Sequence, residues 1–254
     1  MEKSSYTPGT PSWVDLSTPD TSAAAAFYGS LFGWEVEEGG PEFGGYRMAH
    51  LRGRPVAGIG PQMQPNMPPS WATYVDTDDA DAIAKAVTDA GGQTFMAPMD
   101  VMDVGRMAVF ADPTGAAFGV WQANKHLGAG IVNEPVSLCW NELATREPDR
   151  AIAFYRDVFG WQARTHAPDP VPYTEFLLDG PDSIAGMMPM DDSIPAEVPA
   201  HWRVYFAVAD IDATVAKAAE LGGSVHMSPM DIPQGRMAAL ADPQGAMFSV
   251  IKLA

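Results

Sequence analysis

The chain has 254 residues, with 15 Lys and Arg against 32 Asp and Glu, a formal charge of −17. A surface this negative repels phosphate backbones and anionic lipid, and no basic cluster reverses that locally, so neither nucleic acid nor membrane is expected as a partner. No apolar run reaches the roughly 20 residues of a bilayer span, and the first ten residues hold no signal-like core, which places the chain in the cytoplasm as an expectation. A single cysteine, Cys139, excludes an internal disulfide, a thiolate zinc cluster and a CxxC pair, and in its strand-like run it reads as a small buried hydrophobe.

In chain order, Trp13 to Thr18 alternates like a strand. Thr21 to Phe32 carries Ala24, Phe27, Tyr28 and Leu31 at helical spacing, with Asp20 and Ser22 as caps and Gly33 as the stop. Tyr46 to Gln62 reads as short strands turning at Arg52-Gly-Arg-Pro55. The cycle restarts at Trp71-Ala-Thr-Tyr-Val-Asp, followed by a helix with Ile83, Ala86, Val87 and Ala90 on one face and Gly91-Gly92 at its end. Met107 to Ala111 and Ala117 to Gln122 follow as strands joined by Asp112-Pro-Thr-Gly115, a tight turn in which Asp caps, Pro fixes φ and Gly supplies positive φ.

The length suits two domains of about 125 residues, each able to bury a core, or one larger domain. The chain itself decides. Trp13-Val-Asp-Leu-Ser-Thr and Ala26-Phe-Tyr-Gly-Ser-Leu-Phe-Gly-Trp34 return 127 positions later as Trp140-Asn-Glu-Leu-Ala-Thr and Ala153-Phe-Tyr-Arg-Asp-Val-Phe-Gly-Trp161. Gly105-Arg-Met-Ala108 and Ala111-Asp-Pro-Thr-Gly-Ala116 likewise return as Gly235-Arg-Met-Ala238 and Ala241-Asp-Pro-Gln-Gly-Ala246. Two halves therefore share one fold, predicted as domains 10–123 and 135–254, and the stretch from Ala123 to Glu134 reads as a linker.

An alternating strand, a helix ending in Phe-Tyr-x-x-x-Phe-Gly-Trp and a terminal Asp-Pro-x-Gly hairpin together resemble the vicinal oxygen chelate superfamily, over about Trp13 to Ile251. That superfamily includes glyoxalase I, extradiol dioxygenases, fosfomycin-modifying enzymes and bleomycin-binding proteins, and the layout is most similar to tandem actinobacterial glyoxalase-like proteins. The resemblance implies an α+β fold of four βαβββ modules, forming two glyoxalase-like domains whose sheets each curl into a U-shaped cleft.

Metal-dependent members take His, Gln or Glu ligands from the first and last strands of each module. By resemblance those positions fall on Trp13, Ala72, Gly58 and Gly119 in the first half, and on Trp140, Arg203, Gly186 and Ser249 in the second. Only Ser249 offers an oxygen and Arg203 is itself a cation, so no metal and no other cofactor is expected there. The five histidines, His50, His126, His166, His201 and His226, show no H-x-x-x-H or H-x-H spacing and read as structural or solvated. His50 and His201 lie on or beside cleft strands and stay as candidates.

On a strand, residues two apart share a face, so Asp15 and Ser17 should point with Trp13, Glu142 with Trp140, Tyr74 with Ala72, and Tyr205 with Arg203. Aromatic walls with a few polar groups suit a small-molecule site; the alternative is that these aromatics are core, with Asp15 and Glu142 salt-bridged at a rim. Methionine recurs too: Met96, Met99, Met102 and Met107 are answered by Met227, Met230 and Met237. Met107 and Met237 are taken as pocket-lining candidates, against ordinary core filling. Asp100 with Arg106 and Asp231 with Arg236 are expected in loops at a cleft rim, or as structural ion pairs.

Three functions follow. The first is a metal-independent binding protein of the bleomycin-resistance type, holding an aromatic or hydrophobic metabolite against Trp13, Tyr74, Trp140, Arg203, Tyr205, Ser249, His50, Met107 and Met237. The second is a metal-free enzyme of lyase, isomerase or hydrolase type with Glu142 or Asp15 as general base. The third is a metal-dependent glyoxalase or dioxygenase with relocated ligands. In each case the partner is a small molecule, and the chain is a monomer or homodimer.

Overall fold

The computed structural model describes residues 1–62, 67–166 and 172–254. The first module runs β1 (Pro11–Thr18), α1 (Thr21–Phe32), β2 (Glu35–Glu38), β3 (Arg47–Leu51) and β4 (Arg54–Pro61). The second runs β5 (Ser70–Asp76), α2 (Ala80–Asp89), β6 (Gln93–Val101), β7 (Gly105–Ala111) and β8 (Ala117–Ala123). The third and fourth repeat this as β9 (Leu138–Thr145), α3 (Pro148–Phe159), β10 (Gln162–His166), β11 (Tyr173–Leu177) and β12 (Ser183–Pro189), then β13 (His201–Ala207), α4 (Ile211–Glu220), β14 (Ser224–Ile232), β15 (Gly235–Ala241) and β16 (Met247–Leu253). Each half forms one eight-stranded sheet, ordered β2-β3-β4-β1-β5-β8-β7-β6 and β10-β11-β12-β9-β13-β16-β15-β14. Among the described residues no helix is long and apolar enough to cross a membrane.

The α1 helix begins where the Asp20 side chain accepts from the Ser22 and Ala23 amides and ends where Gly33 takes φ 74°, a conformation that costs glycine little. Its buried face, Ala24, Phe27, Tyr28, Leu31 and Phe32, does not find a core within its own half alone. One cluster joins Val14, Phe27, Phe32 and Trp34 to Phe206, Leu240 and Phe248; the other joins Phe110, Phe118 and Val120 to Phe154, Val158 and Trp161. Helix α1 packs on α4 and α2 on α3, while β5 of one sheet meets β13 of the other directly, so the helix-side faces of the two halves close on each other. The two halves thus share their cores: a single layer of short helices buries its apolar stripe only when a second layer covers it.

Polar groups seal that interface. Trp71 Nε1 donates to the Tyr28 hydroxyl (3.0 Å), which donates to Asp242 Oδ2 of the other half (3.2 Å). The mirror chain runs from Trp202 Nε1 to the Tyr155 hydroxyl (2.9 Å) and on to Asp112 Oδ2 (3.0 Å). Each aspartate uses its other oxygen to hold its own Asp-Pro-x-Gly turn, Asp112 accepting from the Thr114 and Ala116 amides and Asp242 from those of Gln244 and Ala246.

Two expectations change. The predicted rim loops are strands: β6 and β14 sit at the sheet edges, Asp100 pairs with Arg106 and Asp231 with Arg236 across their hairpins, and ion pairs of 2.8 and 3.1 Å join them. Pro98 and Pro229 hid these strands, because proline opposes central strands but is tolerated on an edge, here beside register shifts. The linker also packs: Ala129 and Ile131 are buried, the Ala129 amide donates to the Ser12 carbonyl and Gly130 to that of Pro55. Replacing Tyr155 by Phe, or Tyr28 by Phe, leaves a buried carboxylate oxygen and an indole N–H without their partner and is expected to lower stability by about 1–3 kcal/mol, read as a shift in the urea midpoint at unchanged slope.

Candidate functional site

The face of each sheet turned away from the helices carries its own cluster. In the first half Trp13, Tyr74 and Trp121 pack together, and both Met48 on β3 and Met107 on β7 reach them. Four strands separate β3 from β7, and in a flat sheet the two would lie roughly 24 Å apart. The sheet is therefore curled into a trough. The register places Asp15 opposite Gly58 on one side and Ala72 on the other, and sets Tyr74 beside Trp13 and Gly119. Alternation fixes the faces: Val14 and Leu16 go to the helix-side core, leaving Trp13, Asp15 and Ser17 to the trough.

The floor of the trough is a carboxylate among phenols. Burial pushes the Asp15 carboxyl up to about 7, while hydrogen bonding from Tyr74 and Tyr46 pulls the other way. Trp13 Nε1 holds the Tyr46 hydroxyl at 3.3 Å. In the second half the same construction is tighter. Glu142 Oε1 accepts from the Tyr205 hydroxyl (2.9 Å), Oε2 accepts from the Tyr173 hydroxyl (3.1 Å), and Trp140 Nε1 donates to Tyr173 at 2.9 Å. Arg203 Nη1 stands 3.7 Å from Glu142 Oε1, and Arg203 Nε donates to His201 Nε2 (3.1 Å), whose Nδ1 faces the Pro199 carbonyl. Burial raises the Glu142 carboxyl, opposed by Arg203 and then by the two tyrosines. Ser249 lies opposite Tyr205.

The remaining candidates divide. Met237 is buried against Tyr205 and Ile251, and Met107 is half-buried against Trp121. The buried His50 Nδ1 has no partner among the described residues, and burial, then the nearby His50, pushes the His126 imidazole down to about 4. Cys139 donates from Sγ to the Tyr205 carbonyl, and burial pushes its thiol up to about 12, the state of an inert thiol. Sequence reasoning missed Tyr46, Tyr173 and Trp121. The first two stand at the same 127-residue offset as Trp13 and Trp140, so the repeat itself held the signal; Trp121 is answered by Ile251 in β16, and an aromatic matched to an aliphatic leaves no repeat to notice.

The superfamily's metal is tested by the glycines. A Cβ on Gly58 would lie 1.7 Å from the Tyr46 hydroxyl oxygen, one on Gly186 would lie 1.9 Å from that of Tyr173, and one on Gly119 would lie 2.3 Å from the Tyr74 ring. The space into which a last-strand ligand would project is filled by tyrosine. Among the described residues no group of three His, Cys, Asp or Glu side chains is placed to share an ion. A divalent ion does not fit these donors, and no chemistry is routed through one.

Fold and site define a tandem βαβββ protein with two aromatic troughs, each built on one carboxylate. The model of the Glyoxalase/Bleomycin resistance protein/Dioxygenase superfamily matches residues 10–120 and 136–250, and the chain belongs to that superfamily. It is 49% identical over 261 residues to the protein named "Putative glyoxylase CFP32" of Mycobacterium tuberculosis, covering 99% of this chain and 97% of that one. It is 43% identical over 267 residues to the anthracycline biosynthesis protein DauV of Streptomyces sp., covering 98% and 94%. The Mn(II)-bound glyoxalase of Novosphingobium aromaticivorans shares the fold at a TM-score of 0.68 and 16% identity, over 96% of this chain and 82% of that one.

A buried acid with a raised pKa stabilises the fold below its unfolded value and loses that contribution as pH climbs through the folded one. For Asp15 the window runs from the ordinary carboxylate range to about 7. Asp15→Asn is therefore expected to melt within a degree or two of the parent at pH 4 and several degrees above it at pH 8, by calorimetry.

Proposed function

We propose that this protein is a metal-independent binding protein that holds a planar aromatic or hydrophobic metabolite in an aromatic, acidic cleft. One observation carries the reading: in both halves a tyrosine hydroxyl, tethered to a tryptophan indole, fills the space into which a metal ligand would project. A trough so lined offers flat apolar faces, methionine thioethers that adapt to ligand shape, and few polar contacts to set orientation. Two relatives carry the word anthracycline in their names, which denotes a planar aromatic class and agrees with such walls. Such a protein would work in the cytoplasm, as a monomer or homodimer, on a small molecule rather than on nucleic acid or membrane.

The second reading is a metal-free enzyme with Asp15 or Glu142 as general base. The raised carboxyl of Asp15 favours it, since a base poised near neutrality suits proton abstraction. Against it stand the tyrosine donors, which hydrogen-bond both oxygens of Glu142 and so lower its basicity toward a substrate.

Two measurements decide. Native mass spectrometry of freshly purified protein is expected to show a retained organic ligand, and affinity for planar aromatics is expected to survive exhaustive chelation. Loss of that affinity on chelation, or one tightly held Zn, Fe, Mn or Ni per domain, would refute metal independence. For the enzyme reading, Glu142→Gln abolishes turnover with the fold intact if Glu142 is the base; unchanged kinetics would remove it from that role.

A further inference from the structure

The two troughs match in their carboxylate and tyrosines but not at one end. In the first half that end is formed by Trp13 at the start of β1, Trp121 at the end of β8 and His50 on β3. His126, from the segment joining the halves, is wedged there. Its ring meets Trp13 edge-on at 4.4 Å between centroids and Trp121 at 5.6 Å. Its carbonyl accepts from Trp121 Nε1 (2.7 Å), and its amide donates to the Val104 carbonyl. Ala129 and Val132 of the same segment complete the cluster, and the Tyr6 hydroxyl anchors the Ala129 carbonyl at 2.6 Å. Gly128 passes so close that a Cβ there would lie 2.6 Å from the Ser12 carbonyl oxygen.

At the corresponding end of the second half, Ile251 stands for Trp121 and Leu177 for His50, and the histidine ring pairs that His126 makes with Trp13 and Trp121 have no counterpart on Trp140 or Tyr205 among the described residues. A groove of about 410 Å³ runs between the N-terminal arm and the start of β9, lined by Lys3, Tyr6, Thr10, Cys139 and Trp140; Trp140 is the residue it shares with the trough. Charge separates the troughs as well. The first carries Asp15 with Ala72 beside it, whereas the second carries Arg203 beside Glu142. Glu142 already receives two hydroxyls, and Arg203 Nη2 makes no hydrogen bond among the described residues.

We infer that the trough of the second half is the ligand site, that it takes a planar aromatic bearing an anionic or strongly accepting edge for Arg203, and that the first trough is stoppered by the chain's own segment at His126. This rests on the binding function proposed above and adds which half binds, how many molecules, and which edge chemistry. A guanidinium with one terminal nitrogen free in a half-buried place is a ready donor to a carboxylate or quinone oxygen. In the first trough the stopper lies edge-on against the indole faces a ligand would need.

The test is calorimetric titration of the full chain with anthraquinone-2-carboxylate, and with neutral 2-(hydroxymethyl)anthraquinone for comparison. The expected result is one equivalent per chain, preference for the carboxylate, and loss of that preference with at least tenfold weaker binding in Arg203→Met. Hydrogen exchange of the complex should show protection in β9, β11, β13 and β16 and none in β1, β3, β5 and β8. Two equivalents per chain, protection in the first half, or an Arg203→Met protein that binds and discriminates as the parent does would each overturn the inference while leaving the binding function standing. If neither anthraquinone binds at millimolar concentration, the aromatic-binding function itself fails, and this inference with it. A His126→Gly protein that folds is expected to gain a second, weaker equivalent; should it fail to fold, stoichiometry and exchange on the parent still decide.

Discussion

The architecture depends on two buried hydrogen-bond chains that cross between the halves, Trp71 to Tyr28 to Asp242 and Trp202 to Tyr155 to Asp112. Each tyrosine lies in the interface with burial pushing its hydroxyl well above the ordinary value, so it stays protonated and donates. Each aspartate closes its own turn with one oxygen and receives the foreign tyrosine with the other. Hairpin geometry and domain pairing are thus one constraint, because a shift of the turn would strand the tyrosine and a shift of the helix would strand the aspartate. Around these chains the aromatic rings fill the space: Tyr155 stacks on Trp161 at 5.0 Å and Tyr28 on Trp34 at 6.0 Å. With helices committed to that interface, the opposite face of each sheet is left for chemistry.

On that face the repeat kept one device and let the rest drift. A carboxylate, a tyrosine at or immediately before the third strand of the first module and a tyrosine from the first strand of the second appear in both halves. What differs surrounds them: Ala72 against Arg203, Met48 against Glu175, His50 against Leu177, Trp121 against Ile251. Glu175 pairs with Arg164 and His166, so the second trough is also the more polar at its β10–β11 side. A duplicated scaffold held by its helix layer can lose occupancy in one trough without losing the fold.

Much of this was legible in the sequence. The offset repeat gave the two sheets, the capping residues gave α1, and period-two alternation put Trp13 and Asp15, Trp140 and Glu142, and Arg203 and Tyr205 on shared faces. Three things were hidden for physical reasons. Edge strands β6 and β14 contain proline and so look like loops. The segment at Gly128 has a loop's composition, yet it packs because its glycine permits close approach to the Ser12 carbonyl. The crossing of Tyr28 to Asp242 joins residues 214 positions apart, and no local pattern records which half a buried hydroxyl will face.

The outermost strands have a consequence of their own. Both β6 and β14 present apolar side chains to solvent, Phe95 and Met99 in one and Val225 and Met230 in the other, on free sheet borders. Such borders invite another chain to add itself and stack on. Pro98 and Pro229 remove an amide from each border, and the paired register shifts beside them kink the backbone out of line. The same irregularity that disguises these strands as loops works against fibril-like growth, and 17 net negative charges add repulsion between copies of the chain.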